Sequence, residues 1–243
     1  MLAAFEIDAG GESFDEKTAR IERVRADFQV RWKKAGQEER RAIRQEAREF
    51  AVDAIANDIV PAWLGTPWTM AVIRDGLKPN ARRPGQEGAG ISCSWFVVRV
   101  LENAGLRFAN NNAYAGTIAV HFQRALAPGK KDLHRYWNVT PTQLKERFVT
   151  LGDGLYVIGL NCHIGLVHVD SGSVRFLHSS YVDPYEVVIE ELETSDAIQL
   201  SQDAGYVVSP LFQDNRLIDY WITGGKVPFS KNKQLKRAEE MLR

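Results

Sequence analysis

The sequence predicts an α+β protein in which a helix with a cysteine at its start packs on an antiparallel β-sheet, preceded by a helical extension. Three observations carry this reading. The first sixty residues hold apolar positions at helical spacing, whereas residues 151 to 208 break into short β-prone runs bounded by Gly, Asp and Ser. Between them, Gly88-Ala-Gly-Ile-Ser-Cys93 leads into Phe96, Val97, Val100 and Leu101, an apolar helical set that Gly105 closes. Helices first and strands after argue for helices segregated to one side of the sheet.

Taken in order, Ser13 is the N-cap of a helix running to about Lys34, with Ile21, Val24, Phe28 and Trp32 as its stripe. Residues 1 to about 13 read as a mobile tail. Ala35-Gly36 breaks the pattern, and a second helix from about Gln37 to Ile59 buries Ile43, Ala47, Phe50, Ala51, Ala54 and Ile55 before Pro61 stops it. The mixed charges from Glu38 to Glu49 fit a solvated face laced with ion pairs. A Gly-, Pro- and Arg-rich loop follows up to Gly90 and suits the wall of a cleft. Residues 106 to 150 read as a lid or an insertion, with a helix start at Thr140-Pro141. The strands then run through Leu155–Ile158, His163–Val169, Val174–Leu177 and Val187–Leu192. This divides the chain into a helical extension over 1–58, a catalytic domain over 59–225 and a basic tail over 226–243.

Composition bounds the function. With 243 residues the chain can bury one large core, and 31 basic against 31 acidic residues give no global field towards nucleic acid or an anionic membrane. No window approaches 18 consecutive apolar residues, and the first residues lack the cationic and apolar regions of a secretory signal. The compartment stays open: cell envelope or secreted if a signal has been removed, otherwise cytoplasmic. Two cysteines, Cys93 and Cys162, cannot frame a protein of this size with disulfides, so both read as thiols.

At a helix start Cys93 meets unpaired backbone N–H groups. These favour thiolate over thiol, which lowers the thiol pKa, and they can donate to an oxyanion forming beside the sulfur. A base is required, and the strand pattern supplies one. If Ser171-Gly172 is a two-residue turn, His178 falls opposite Gly165, which shares a strand face with His163. His163 and His178 are then diagonal neighbours within imidazole reach, and Gly165 leaves space beside them. The same parity puts His168 on the other face. His121 and His134 lie in the insertion and read as structural. Cys162, next to His163, is expected to pack into the sheet's other face, and no paired-ligand spacing suggests zinc. Cys93, His163 and His178 thus have the chemistry of a nucleophile, its proton-exchange partner and the group that orients that partner.

At these residues the chain resembles the NlpC-type family of papain-like cysteine peptidases of bacterial cell walls. Leu64-Gly-Thr-Pro67-Trp68 resembles the family's Leu-Gly-x-Pro-Tyr segment, and Ser92-Cys93-Ser94-Trp95-Phe96-Val97 resembles its Asp-Cys-Ser-Gly-Phe-Val nucleophile motif. Leu151-Gly-Asp153 looks like the strand entry, and His163-Ile-Gly165 with Phe176-Leu-His178-Ser179-Ser180 looks like the two histidine segments. The likeness covers about residues 50 to 185. It departs at Ser92, where the family has Asp, at Trp95, where it has Gly, and at Trp68, where it has Tyr. The resemblance implies a papain-like fold and cleavage of an amide bond through an acyl-thioester, plausibly the γ-D-glutamyl to diamino-acid link of a muropeptide. Cys93, His163 and His178 would be catalytic and Trp68, Ser92, Ser94 and Trp95 would line the substrate site, with no cofactor or metal and with peptide as the partner. The alternatives are an acyltransferase or amidase on another substrate, and a cell-wall-binding module that does no chemistry.

Overall fold

A computed structural model describes residues 12–70, 90–115, 126 and 132–228. The expected N-terminal tail, the Arg-rich loop, His121 and most of the basic tail lie outside these residues.

Helix α1 (Phe14–Lys34) starts in a capping box, Ser13 accepting from the Glu16 N–H while Glu16 accepts from the Ser13 N–H. Helix α2 (Gln37–Asp53) does not stop before Pro61 as expected. Residues Ala54–Ile59 widen into a π-helical turn that passes into α3 (Val60–Trp63), with the Val60 N–H donating to Ile55 O. A proline ring clashes with the carbonyl four residues back in an α-helix, and a wider turn relieves that clash. Helix α4 (Cys93–Asn103) closes as expected, with Gly105 at φ +92° and the Leu106 N–H reaching back to Leu101 O.

The short strand β1 (Arg107–Phe108), helix α5 (Asn111–Ala115) and strand β2 (His134–Tyr136) lead to α6 (Pro141–Leu151), capped by Thr140 and Gln143. Then come β3 (Gly154–Leu160), β4 (His163–Asp170), β5 (Ser173–Ser179), β6 (Val187–Glu191), α7 (Asp196–Gln199), β7 (Tyr206–Leu211), α8 (Asn215–Thr223) and β8 (Lys226–Val227). Six strands form one antiparallel sheet in the order β2-β7-β3-β4-β5-β6, and β1 pairs with β8 in parallel beside it.

The sheet is covered on both faces, not on one. Leu155, Val157, Ile164, Leu166 and Leu177 share a core with α1, α2, α4 and α8, while Tyr156, Ile158, Val167, Val174 and Phe176 pack on Leu144 and Phe148 of α6 and on Ile198 of α7. Consecutive residues of β3 and β4 are therefore both buried. The first two helices are part of this core and not an appendage. Ile21, Phe28, Ile43 and Ala47 belong to the same cluster as Phe96, Leu101 and Trp221. Two arginines from the mixed-charge run also cross to other elements: Arg44 holds Asp219 of α8 at 2.7 and 2.9 Å, and Arg48 donates to Phe212 O at 2.6 Å. The described residues of α1 and α2 thus share one core with α4 and α8.

Candidate functional site

Sheet pairing sets the two histidines. Ser171 and Gly172 both take positive φ and form the turn between β4 and β5, and the ladder runs Asp170↔Ser173 through Leu166↔Leu177 in the expected register. His163 opens β4 opposite Leu160, closing the two-residue turn Asn161-Cys162. On the shared face His163 Nε2 and His178 Nδ1 are 2.8 Å apart. Both rings are buried, His163 to 2% exposure and His178 to 0%. Phe176 stacks on His178 with centroids 4.0 Å apart, and Tyr181 covers His163 with centroids 4.9 Å apart. Gly165 leaves no space open: a Cβ there would meet Phe176 Cε2 at 2.5 Å and His178 Cβ at 2.9 Å. The residue is glycine because the ring and the imidazole fill the place of its side chain.

The sulfur approaches from the helix. Cys93 is the first residue of α4, half-buried, with Ser92 as an extended N-cap whose side chain makes no capping bond. The β4–β5 ladder ends at Leu166↔Leu177, so Ile164 lies beyond it, and its backbone N–H is near enough to the Cys93 sulfur to lower the thiol. Ile164 follows His163 directly. The Ser179 hydroxyl donates to Ile91 O at 2.6 Å, tying the splayed end of β5 to the segment entering α4. His163 Nδ1, the ring's second nitrogen, is buried and has no hydrogen-bond partner.

The electrostatics differ from the expected lowered thiol. Burial pushes the Cys93 thiol up, and the N–H groups of Ile164, Ser94 and Cys93 pull it down by less. Burial, with His178 alongside, holds His163 well below the usual imidazole range. Burial also lowers His178, against the raising effect of Glu190. Burial thus favours the uncharged form of the thiol and of both imidazoles, because taking a charge out of water costs more than the helix start returns.

Sequence reading missed Glu190. Its Oε1 lies 2.8 Å from His178 Nε2, so the buried imidazole pair continues into a carboxylate. Burial raises that carboxyl, but hydrogen bonds from His178 and Ser195 outweigh it and the net shift is downward. Phe176↔Glu190 and His178↔Val188 place the glutamate diagonal to His178. Only the register of β6 reveals this, and that register is set by the loop after Ser179.

The other expected residues divide. Trp68 is half-buried, bridges by its backbone to Ile91, donates its N–H to Tyr185 O at 2.7 Å, and has a buried indole Nε1 with no partner. Trp95 instead sits in the core at 7% exposure beneath the Arg99 guanidinium, and the Ser94 hydroxyl donates to Ala115 O at 2.6 Å. Trp95 is thus a packing residue, and the Ser94 hydroxyl is engaged within the chain. His168 lies on the opposite face beside Arg175, and His134 stacks on Tyr136 in β2. Cys162 is exposed in the β3–β4 turn at φ +59° instead of packing into the sheet. Among the described residues no three His, Cys, Asp or Glu side chains gather to hold a metal, and no helix is long and apolar enough to cross a membrane. No protein-family model, curated protein or solved structure matches the chain.

Proposed function

We propose that the protein is a papain-like cysteine hydrolase that cleaves an amide bond through an acyl-thioester. The observation that supports this most is the unpartnered, buried Nδ1 of His163, on the residue next to the one whose N–H is near the Cys93 sulfur. A buried nitrogen without a partner costs stability and calls for a functional reason. Here the reason is a proton to collect.

In this reading the Cys93 thiol gives its proton to His163 Nδ1 as the sulfur bonds to the substrate carbonyl carbon, and the electron pair of the C=O moves onto oxygen. The Cys93 backbone N–H at the helix start donates to that oxyanion. Collapse of the intermediate breaks the C–N bond, and His163 returns the proton to the leaving amine. Water, deprotonated by His163, then attacks the thioester carbonyl and releases a free acid and the thiol. Buried thiol and imidazole form their charges only as the reaction demands them. The aromatic side chain of Trp68 and the uncommitted hydroxyl of Ser92 are the substrate contacts that fit, and a muropeptide with a γ-D-glutamyl link is the proposed substrate.

Incubation of the purified protein with defined muropeptides, followed by mass analysis, tests this. One new amine and one new acid are expected, together with an acyl adduct on Cys93 trapped at early times. Binding without products, unchanged in Cys93→Ala, would replace the hydrolase with a binding module.

A further inference from the structure

We infer that Glu190 is a positioning residue that fixes which nitrogen of His163 is free to act as a base. This deepens the hydrolase reading and rests on it for its kinetic consequences, but the geometry stands separately. Two hydrogen bonds run in series: Glu190 Oε1 to His178 Nε2 at 2.8 Å, and His178 Nδ1 to His163 Nε2 at 2.8 Å. A carboxylate only accepts, so His178 carries its proton on Nε2. A neutral His178 then has a lone pair on Nδ1, and the 2.8 Å contact requires His163 to donate from Nε2. His163 Nδ1 is left as a bare lone pair, the one nitrogen of the series that has no partner. The carboxylate two rings away therefore selects the tautomer of the base.

Ser195 is fully buried, caps α7 by accepting from the Ile198 N–H at 3.4 Å, and helps to lower the Glu190 carboxyl. His178 is the one hydrogen-bond donor within reach of Glu190 Oε1 among the described residues. The titratable groups in contact with the two rings are Glu190 from β6 and Tyr181 from the loop after β5. Among the described residues no other charged group acts on either ring. When His163 takes a proton on Nδ1, the series lets the positive charge be shared towards Glu190 with no heavy atom moving far.

The test uses the full chain labelled with ¹⁵N at histidine, with His163 and His178 assigned from single substitutions. At neutral pH both rings are expected to carry one proton, on Nε2. A proton on Nδ1 of either ring overturns the inference. Glu190→Gln keeps the shape and removes the charge, so the ring titration of the pair is expected to move about one pH unit lower, and the acid limb of kcat/KM with it. The rate itself should fall about tenfold or more. Glu190→Asp, with the charge kept on a shorter arm, should restore part of the shift. An unchanged ring titration in Glu190→Gln overturns the inference, since a purely structural glutamate would leave it in place. Should Glu190→Gln fail to fold, the proton positions in the wild type still decide. Turnover with the wrong tautomers refutes the relay alone, and correct tautomers without turnover on any muropeptide refute the hydrolase alone.

Discussion

Adding one methyl group at Gly165 should disable the site without replacing any ionisable residue. The backbone there is extended, so alanine meets no conformational barrier. The new Cβ would lie 2.5 Å from Phe176 Cε2 and 2.9 Å from His178 Cβ, whereas non-bonded carbons rest at about 3.5–4.0 Å. Something must move by about 1 Å. Phe176 is fully buried and stacked flat on His178, so the ring cannot yield without pushing the imidazole. Overpacking of this kind costs about 1–3 kcal/mol, against about 0.4–1 kcal/mol recovered because alanine restricts the unfolded chain. The net loss is about 1–2 kcal/mol, which lowers Tm by about 2–8 °C in a protein of this size. A shift of about 1 Å also stretches the contact between His163 and His178 past hydrogen-bond range and should cost turnover about a hundredfold. Thermal unfolding followed by circular dichroism and muropeptide cleavage measure the two effects. Gly36→Ala is the control, since nothing lies within 4 Å of its added Cβ. A Gly165→Ala protein with wild-type Tm and full turnover would refute the packing of the imidazole pair described above.

Further outcomes follow from the same site. Cys93→Ser and His163→Ala should each reduce muropeptide turnover to background while circular dichroism stays native; full activity of the Cys93 variant would contradict the chemistry. His178→Gln should leave measurable turnover, because an amide can still accept from His163 Nε2, whereas His178→Ala should retain less. Iodoacetamide should modify exposed Cys162 before Cys93 in the resting protein at neutral pH, since burial raises the Cys93 thiol, and peptide mapping after short exposure reads the order. Stability should fall on acidification. Both imidazoles are held below the unfolded value of about 6.5, so the unfolded chain binds protons that the folded chain refuses, and stability present above that pH is lost as pH drops through and below it. Melting curves between about pH 7.5 and 5 check this, and His163→Leu should flatten the dependence.

Much of the site was legible because it depends on short-range chemistry. The Ser171-Gly172 turn fixes the β4–β5 register, and period-two alternation then brings His163 to His178 while sending His168 to the other face. The start of α4 at Cys93 and its close at Gly105 follow from capping rules. What was illegible depends on partners distant in the chain. Strand β7 enters between β2 and β3 from more than forty residues downstream of β3, so neither flank announces it. Glu190 reaches His178 through a register set after the Ser180–Glu186 loop. The two-sided burial of the sheet depends on α6 and α7 covering one face, which alternation within a strand cannot report. The direction of the Cys93 shift was misjudged because helix-start N–H groups can be read from sequence and the depth of burial cannot.

The arrangement of the opening helices bears on how the molecule can be handled and how it can fail. Phe28 and Phe50 meet Trp221 edge-on or tilted, and the Trp221 indole N–H in turn grips Ala104 O at the far end of α4. Trimming the first fifty residues would strip the packing from Trp221, which holds the end of the helix that begins at Cys93. The shortened chain should come out insoluble instead of hyperactive, and a mutation there would show itself first as lost protein and only later as lost catalysis.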